Sequence, residues 1–155
     1  MMMRVAIDTV VLAALVDTRD KWHSAAVTLR DALKVERAEV SYFDPVLAET
    51  VSLLARRLAE QKRLDQFSGG LDKLNLLVPL EFITWVSPET PRLYPQIMAP
   101  VRAYGGELNF NDALIALACQ ELGVQFIASF DRDFDRVDWL GRLETPDDVR
   151  AAAGS

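Results

Sequence analysis

Short apolar runs of strand character alternate along this chain with longer runs of helical period. Few architectures satisfy that alternation other than a mainly parallel sheet covered by helices. Arg4-Val5-Ala6-Ile7 reads as a buried strand that stops at Asp8, and the apolar run from Thr9 to Val16 supplies two helical turns. From Lys21 to about Val35, the residues Trp22, Ala25, Ala26, Leu29, Ala32 and Leu33 recur at spacings of three and four, the mark of an amphipathic helix. Glu39 to Phe43 is a second strand. Asp44-Pro45 then opens a helix expected to reach about Gln66, because Asp accepts from free first-turn amides and Pro loses no bond there. Ser68-Gly69-Gly70 is expected to break that helix, with Leu71 to Leu77 adding a turn or two and Glu81 to Val86 forming a third strand. A helix from Ser87-Pro88-Glu89 to about Tyr104 carries Pro91, Pro95 and Pro100, which count against its regularity, and Gly105-Gly106 ends it. Asn109 or Asn111 caps the next helix, Asp112 to Leu122, which stops at Gly123 and leads into a strand from Gln125 to Ser129. An acidic tail from Asp131 holds a last short strand near Leu143. With no repeat or linker in between, residues 1–155 are expected to form a single domain.

Composition narrows the chemistry. Half of the residues are hydrophobic, enough for a core without staples. A single cysteine, Cys119, leaves no intrachain disulfide, and with a single histidine, His23, a thiolate-rich or multi-histidine metal site is excluded. Any bound metal must be held mainly by oxygen. The apolar run Val10 to Val16 falls far short of the roughly 20 residues that span a bilayer, and Met1 to Met3 leads directly into a strand rather than a leader, so a cytoplasmic protein away from membranes is expected. Seventeen Lys and Arg against 23 Asp and Glu give a net charge of -6. That balance opposes simple coating of a nucleic acid, which requires a basic footprint, unless the acids are gathered in one place.

The element pattern gathers them. In an open parallel sheet the ligand site lies beyond the carboxyl ends of the strands. Asp8 follows the first strand, and Glu49 lies in the second turn of the helix leaving the second strand. Asp112 opens a helix whose start lies at the same edge, because it feeds the following parallel strand, and Asp131 comes just after that strand. Four acids distant in sequence thus project to one rim. Carboxylates gathered so closely repel unless a cation shares the site. Hard oxygen ligands without a Cys or His cluster suit Mg²⁺ or Mn²⁺, ions that activate water and stabilise phosphoryl charge. Each acid also has a plainer role: Asp8 as a turn or cap residue, Glu49 on an exposed helix face, Asp112 at a helix dipole, and Asp131 within the charge run Asp131-Arg132-Asp133-Phe134-Asp135.

In their settings these acids resemble those of the PIN-domain nucleases, and most closely the VapC-type toxins of toxin-antitoxin pairs. The matching pieces are Ala6-Ile7-Asp8-Thr9, Leu47-Ala48-Glu49, Leu108 to Ile115 and Ser129-Phe130-Asp131-Arg132-Asp133-Phe134, in order and across nearly the whole chain. The resemblance implies a three-layer α/β/α fold around a mainly parallel sheet of about five strands. It implies that Asp8, Glu49, Asp112 and Asp131 are the catalytic acids and hold one or two Mg²⁺ or Mn²⁺ ions, with Asp133 supporting or replacing Asp131. It further implies endonucleolytic hydrolysis of RNA by a metal-activated water, a cognate antitoxin as partner, and a homodimer. Thr9 matches the small hydroxyl residue that often follows the first acid, and Ser129 stands where the family more often has Thr. Asn111 is a candidate for a cap or for a hydrogen bond to water or phosphate.

Cationic candidates for substrate contact are Arg132 and Arg136 beside the fourth acid, and Arg56, Arg57, Lys62 and Arg63 on the helix after Glu49. Trp22, Trp85 and Trp139 are read as packing residues rather than base-stacking ones. The alternatives are a PIN nuclease of RNA processing or DNA cleavage outside any toxin pair, and a noncatalytic binding module, for which clustered like charges bring no benefit. A phosphatase of the aspartyl-phosphate type would need a second Asp two residues after Asp8, where this chain has Val10. If the acids hold divalent ions, RNA affinity should be weak without metal.

Overall fold

Five short strands, β1 (Arg4–Ile7), β2 (Glu39–Phe43), β3 (Ile83–Thr84), β4 (Phe126–Ala128) and β5 (Gly141–Leu143), form one all-parallel sheet in the order β3-β2-β1-β4-β5. The computed structural model describes residues 2–155. Helices join the first four strands, α1 (Thr9–Val16) and α2 (His23–Val35) before β2, α3 (Asp44–Glu60) and α4 (Phe67–Leu77) before β3, and α5 (Thr90–Ala103) and α6 (Phe110–Leu122) before β4; a 3₁₀ turn, Arg132–Arg136, joins β4 to β5, and α7 (Pro146–Ala153) follows the last strand. The chain steps outward from β1 through β2 to β3 and then returns to place β4 on the other side of β1. This reversal creates a switch point between β1 and β4, where loops diverge and leave a crevice.

Apolar pattern accounts for depth. β1 is buried from Val5 to Ile7, and nearly every residue of α1 is buried, so this short helix presents no polar face and forms the middle of the core. Helix α1 touches α2, α3 and α4, α2 reaches α7, and α5 packs on α6, so that helices flank the sheet in an α/β/α arrangement. On α2 only the stripe Ala26, Leu29 and Leu33 is fully inside, the amphipathic face that its spacing predicts. No helix among the described residues is long and apolar enough to cross a membrane.

Several boundaries differ from expectation. Helix α3 ends at Glu60 rather than Gln66, because Lys62 takes a left-handed backbone (φ 56°) and the Arg63 amide turns back to the Leu58 carbonyl at 2.7 Å. Gly69 and Gly70 lie inside α4 instead of breaking a helix; the break falls at Gln61-Lys62, where a charged sequence carries no breaker signal. The third strand is only Ile83–Thr84, since Leu80–Phe82 forms a 3₁₀ turn, and the fourth is trimmed at both ends. Helix α5 runs through Pro95 and Pro100, anchored on α6 by buried Leu93 and Ile97. Helix α6 starts two residues earlier than expected, capped by Asn109. The acidic tail closes in a further helix, α7, beyond the short strand its sequence predicts. A reciprocal capping box between Thr145 and Asp148, Pro146 at its first position and buried Val149 account for it.

Candidate active site

The crevice at the switch point is a cleft of about 640 Å³ lined by the ends of β1 and β4, one face of α3 and the first turn of α6. Asp8, Glu49, Asp112 and Asp131 all line it, together with Thr9 and the asparagines Asn109 and Asn111. Each acid arrives by a local route. Asp8 extends β1, its amide donating to the Ala128 carbonyl at 3.0 Å, and it is also the N-cap of α1: Oδ1 accepts from the Thr9 amide at 2.8 Å. The plain reading of Asp8 as a cap therefore holds, and its carboxylate lies on the cleft wall as well. Its Oδ2 accepts from Ser129 Oγ at 2.6 Å, and the same hydroxyl accepts from the Asp131 amide at 2.9 Å. Ser129, fully buried, thus ties the end of β1 to the loop carrying Asp131.

Asp131 is held on two further sides. Its Oδ1 caps the 3₁₀ turn Arg132–Arg136 by accepting from the Asp133 amide, and the neighbouring Phe130 ring stacks on Trp22 with centroids 4.9 Å apart. Glu49 is oriented by donors from both flanks, Thr9 Oγ1 at 3.1 Å on Oε2 and Asn111 Nδ2 on Oε1. One residue later Thr50 is fully buried and donates to the Val46 carbonyl, so α3 turns Glu49 to the cleft and Thr50 to the core. Asp112 stands at the start of α6, its amide capped by Asn109 Oδ1 at 2.9 Å. Asn109 is the cap, and Asn111 is free to hold Glu49.

The electrostatics follow from this crowding. Burial is the first cause that pushes the Asp112 carboxyl up to about 7, followed by the charges of Asp8 and Asp131. Burial likewise pushes Asp8 up to about 6, against the hydrogen bonds from Ser129 and Thr9 that favour its charged form. Among the described residues no Lys, Arg or His forms an ion pair with any of the four acids. The cations on the cleft wall are Arg56 and Arg57.

Other candidates fall elsewhere. Arg136 pairs with Glu107 and lies over the Tyr104 ring, 5.4 Å from its centroid, and neither it nor the exposed Arg132 lines the cleft. Asp133 also stays off the cleft wall and contributes its backbone amide to Asp131. Arg63 is clasped by Asp17 at 2.9 and 3.1 Å. His23 bonds the Ala14 carbonyl at 2.7 Å, and Trp139 donates to the Ala116 carbonyl at 3.0 Å. Ser52 and Leu53 join the lining without having been singled out from the sequence. The helical spacing from Glu49 would have found them, since positions three, four and seven residues on share its face: Ser52, Leu53 and Arg56.

A family model, described as PIN domain, matches residues 5–140, a span that includes all four acids. The chain belongs to the PIN domain family. Solved structures share the fold. The PIN domain described here is similar to the VapC20 toxin of Mycobacterium tuberculosis, described as cleaving the Sarcin-Ricin loop, with 24% identity over 87% of this chain and 95% of that one and a TM-score of 0.64. It is similar also to a chain of VapBC2 from Rickettsia felis, solved bound to a DNA fragment from its promoter, with 17% identity over 91% and 98% of the two chains and a TM-score of 0.62. No curated protein matches the sequence of this PIN domain.

Proposed function

We propose that this PIN domain is a divalent-metal-dependent endoribonuclease and the toxin of a toxin-antitoxin pair. The observation that carries the reading is the convergence of Asp8, Glu49, Asp112 and Asp131 on one cleft, with none of them ion-paired among the described residues. The fold shared with VapC20 and VapBC2 supports the toxin assignment.

The residues fit a hard divalent ion in their chemistry. The donors in the cleft are carboxylate, hydroxyl and amide oxygens, with no Cys or His among them, and two of the carboxyls are driven toward protonation by burial first and by neighbouring carboxylates after it. Among the described residues no group of three or more acids is drawn close enough to enclose an ion. Mg²⁺ accepts one or two carboxylates and keeps several waters. Asp8 and Asp112 are the ligands of first choice, with Glu49 and Asp131 completing the acidic surround. A bound Mg²⁺ or Mn²⁺ supplies water activation and charge stabilisation at the scissile phosphate.

The protein's own part is orientation. Ser129 holds Asp8 by one oxygen and the Thr9 amide holds it by the other, so Asp8 cannot rotate away. Thr9 and Asn111 fix the Glu49 carboxylate in the same way. Fixed carboxylates leave little reorganisation when charge develops on the phosphoryl group. A cognate antitoxin and a homodimeric state belong to the same proposal.

Purified protein incubated with ribosomal RNA should cleave it only with Mg²⁺ or Mn²⁺ present, and Asp8→Asn and Asp112→Asn should each reduce cleavage to background. Cleavage that persists in both variants refutes the site. Co-expression with the product of an adjacent small reading frame should relieve growth arrest and yield a co-purifying complex; growth unaffected by the protein alone refutes the toxin assignment.

A further inference from the structure

The cleft has two electrical poles. Its inner end carries the acids, and seven residues along the same face of α3 from Glu49 stands Arg56, with Arg57 beside it. The two arginines differ. Arg57 is committed to Asp20, whose side chain is almost wholly inaccessible and which also accepts from the Trp22 amide at 2.8 Å; Arg57 thereby ties α3 to the loop between α1 and α2. Arg56 is exposed and, among the described residues, makes neither a hydrogen bond nor an ion pair.

We propose that Arg56 binds an RNA phosphate next to the scissile one, on the part of the strand that lies along α3. The inference rests on the ribonuclease reading above and adds the residue that recognises the substrate backbone. Three observations lead to it. Seven helical residues separate Glu49 from Arg56 by about 10 Å along the axis, too far for both to serve one phosphate and suited to a neighbouring one. An unpaired guanidinium can present its planar fork to phosphate oxygens without first giving up a carboxylate, as Arg57 must. A chain with net charge -6 also needs local cationic footing where a polyanion enters, and Arg56 is the uncommitted cation on this cleft wall. Between the two poles lie Ser52 and the half-buried Leu53, a small hydroxyl and an apolar step that leave the backbone room to pass.

The test compares wild type with Arg56→Ala for binding of a fluorescein-labelled single-stranded RNA of mixed sequence, by anisotropy in EDTA, where metal-dependent cleavage is stopped, over a series of salt concentrations. Wild-type cleavage of the same RNA with Mg²⁺ is measured alongside. Loss of the phosphate contact should weaken binding about tenfold and flatten the dependence of log affinity on log salt by about 0.7. In the otherwise wild-type chain, Arg56→Ala should raise KM with kcat nearly unchanged, and Arg56→Lys should restore part of the affinity, because an ammonium keeps the charge but not the fork. If wild type cleaves RNA and Arg56→Ala leaves affinity, salt slope and KM unaltered, Arg56 is not the contact and the ribonuclease reading stands. If wild type neither binds nor cleaves RNA, that reading fails and Arg56 loses its role with it.

Discussion

Asp112 concentrates the conflict between folding and chemistry in one side chain. Its carboxyl has an ordinary value of 3.8 and is pushed up to about 7 in the folded protein, by burial first and by Asp8 and Asp131 next. A group that takes up its proton more readily when folded stabilises the folded state at low pH. That contribution is fully present below about 4 and is lost as pH rises through about 7. Asp17 and Asp148 behave oppositely, held below the usual carboxylate range chiefly by the Arg63 side chain and by the Glu144 amide respectively, and their contributions are lost on acidification. Asn in place of Asp112 mimics the neutral acid and leaves those two groups unchanged. In EDTA, the melting temperature of Asp112→Asn should therefore exceed that of wild type by a margin that grows between pH 4 and pH 7 and then levels off. A margin independent of pH would show that the buried charge is not the cause. This dependence could not be read from the sequence, where Asp112 is one acid at the start of an apolar helix.

At the scale of elements, glycines separate local signal from tertiary outcome. Gly123 ends α6 with a left-handed backbone (φ 69°), as its place after an apolar run predicts. A Cβ there is strained by the backbone and would lie 3.3 Å from Arg4 Nη1, the group that donates to the Leu122 carbonyl at 2.6 Å. Gly69 carries the same residue name but sits within α4, with nothing within 4 Å of an added Cβ. Gly123→Ala should destabilise by about 1–2 kcal/mol, whereas Gly69→Ala should stabilise by about 0.5–1 kcal/mol. Urea titration checks both. Equal destabilisation by the two would mean that Gly69 breaks the helix after all. The difference has a physical basis: two glycines lower helix propensity only modestly, and contacts of α4 with α1 and α3 offset that cost, while the left-handed Lys62 ends α3 without any glycine.

Over the whole molecule, the acid excess and the fold are coupled through the switch point. The sheet order brings the ends of β1 and β4 side by side, and with them carboxylates more than a hundred residues apart in the chain. Folding therefore assembles a repulsive cluster that an ion would relieve. Mg²⁺ or Mn²⁺ should raise the melting temperature in proportion to RT ln(1 + [ion]/Kd), about 2.7 kcal/mol at a hundredfold excess over Kd. The rise should be lost in Asp8→Asn and in Asp112→Asn. An equal rise in wild type and both variants would assign the effect to ions elsewhere on the acidic surface.

The sequence by itself determined the α/β class, the parallel sheet and the rim to which Asp8, Glu49, Asp112 and Asp131 project. Strand periodicity and strand ends are local features, written in neighbouring residues, whereas the cap expected of Asp44 does not form, its Oδ1 accepting instead from the distant Val86 and Ser87 amides. Tertiary structure decided what depends on distant partners. It committed Arg57 to Asp20 and left Arg56 unpaired, drew Arg136 away to Glu107, and set Asn111 on Glu49 while Asn109 took the cap. It also placed the helix break at Lys62 and added α7 on α2, because packing against other elements outweighs propensity where the local signal is weak.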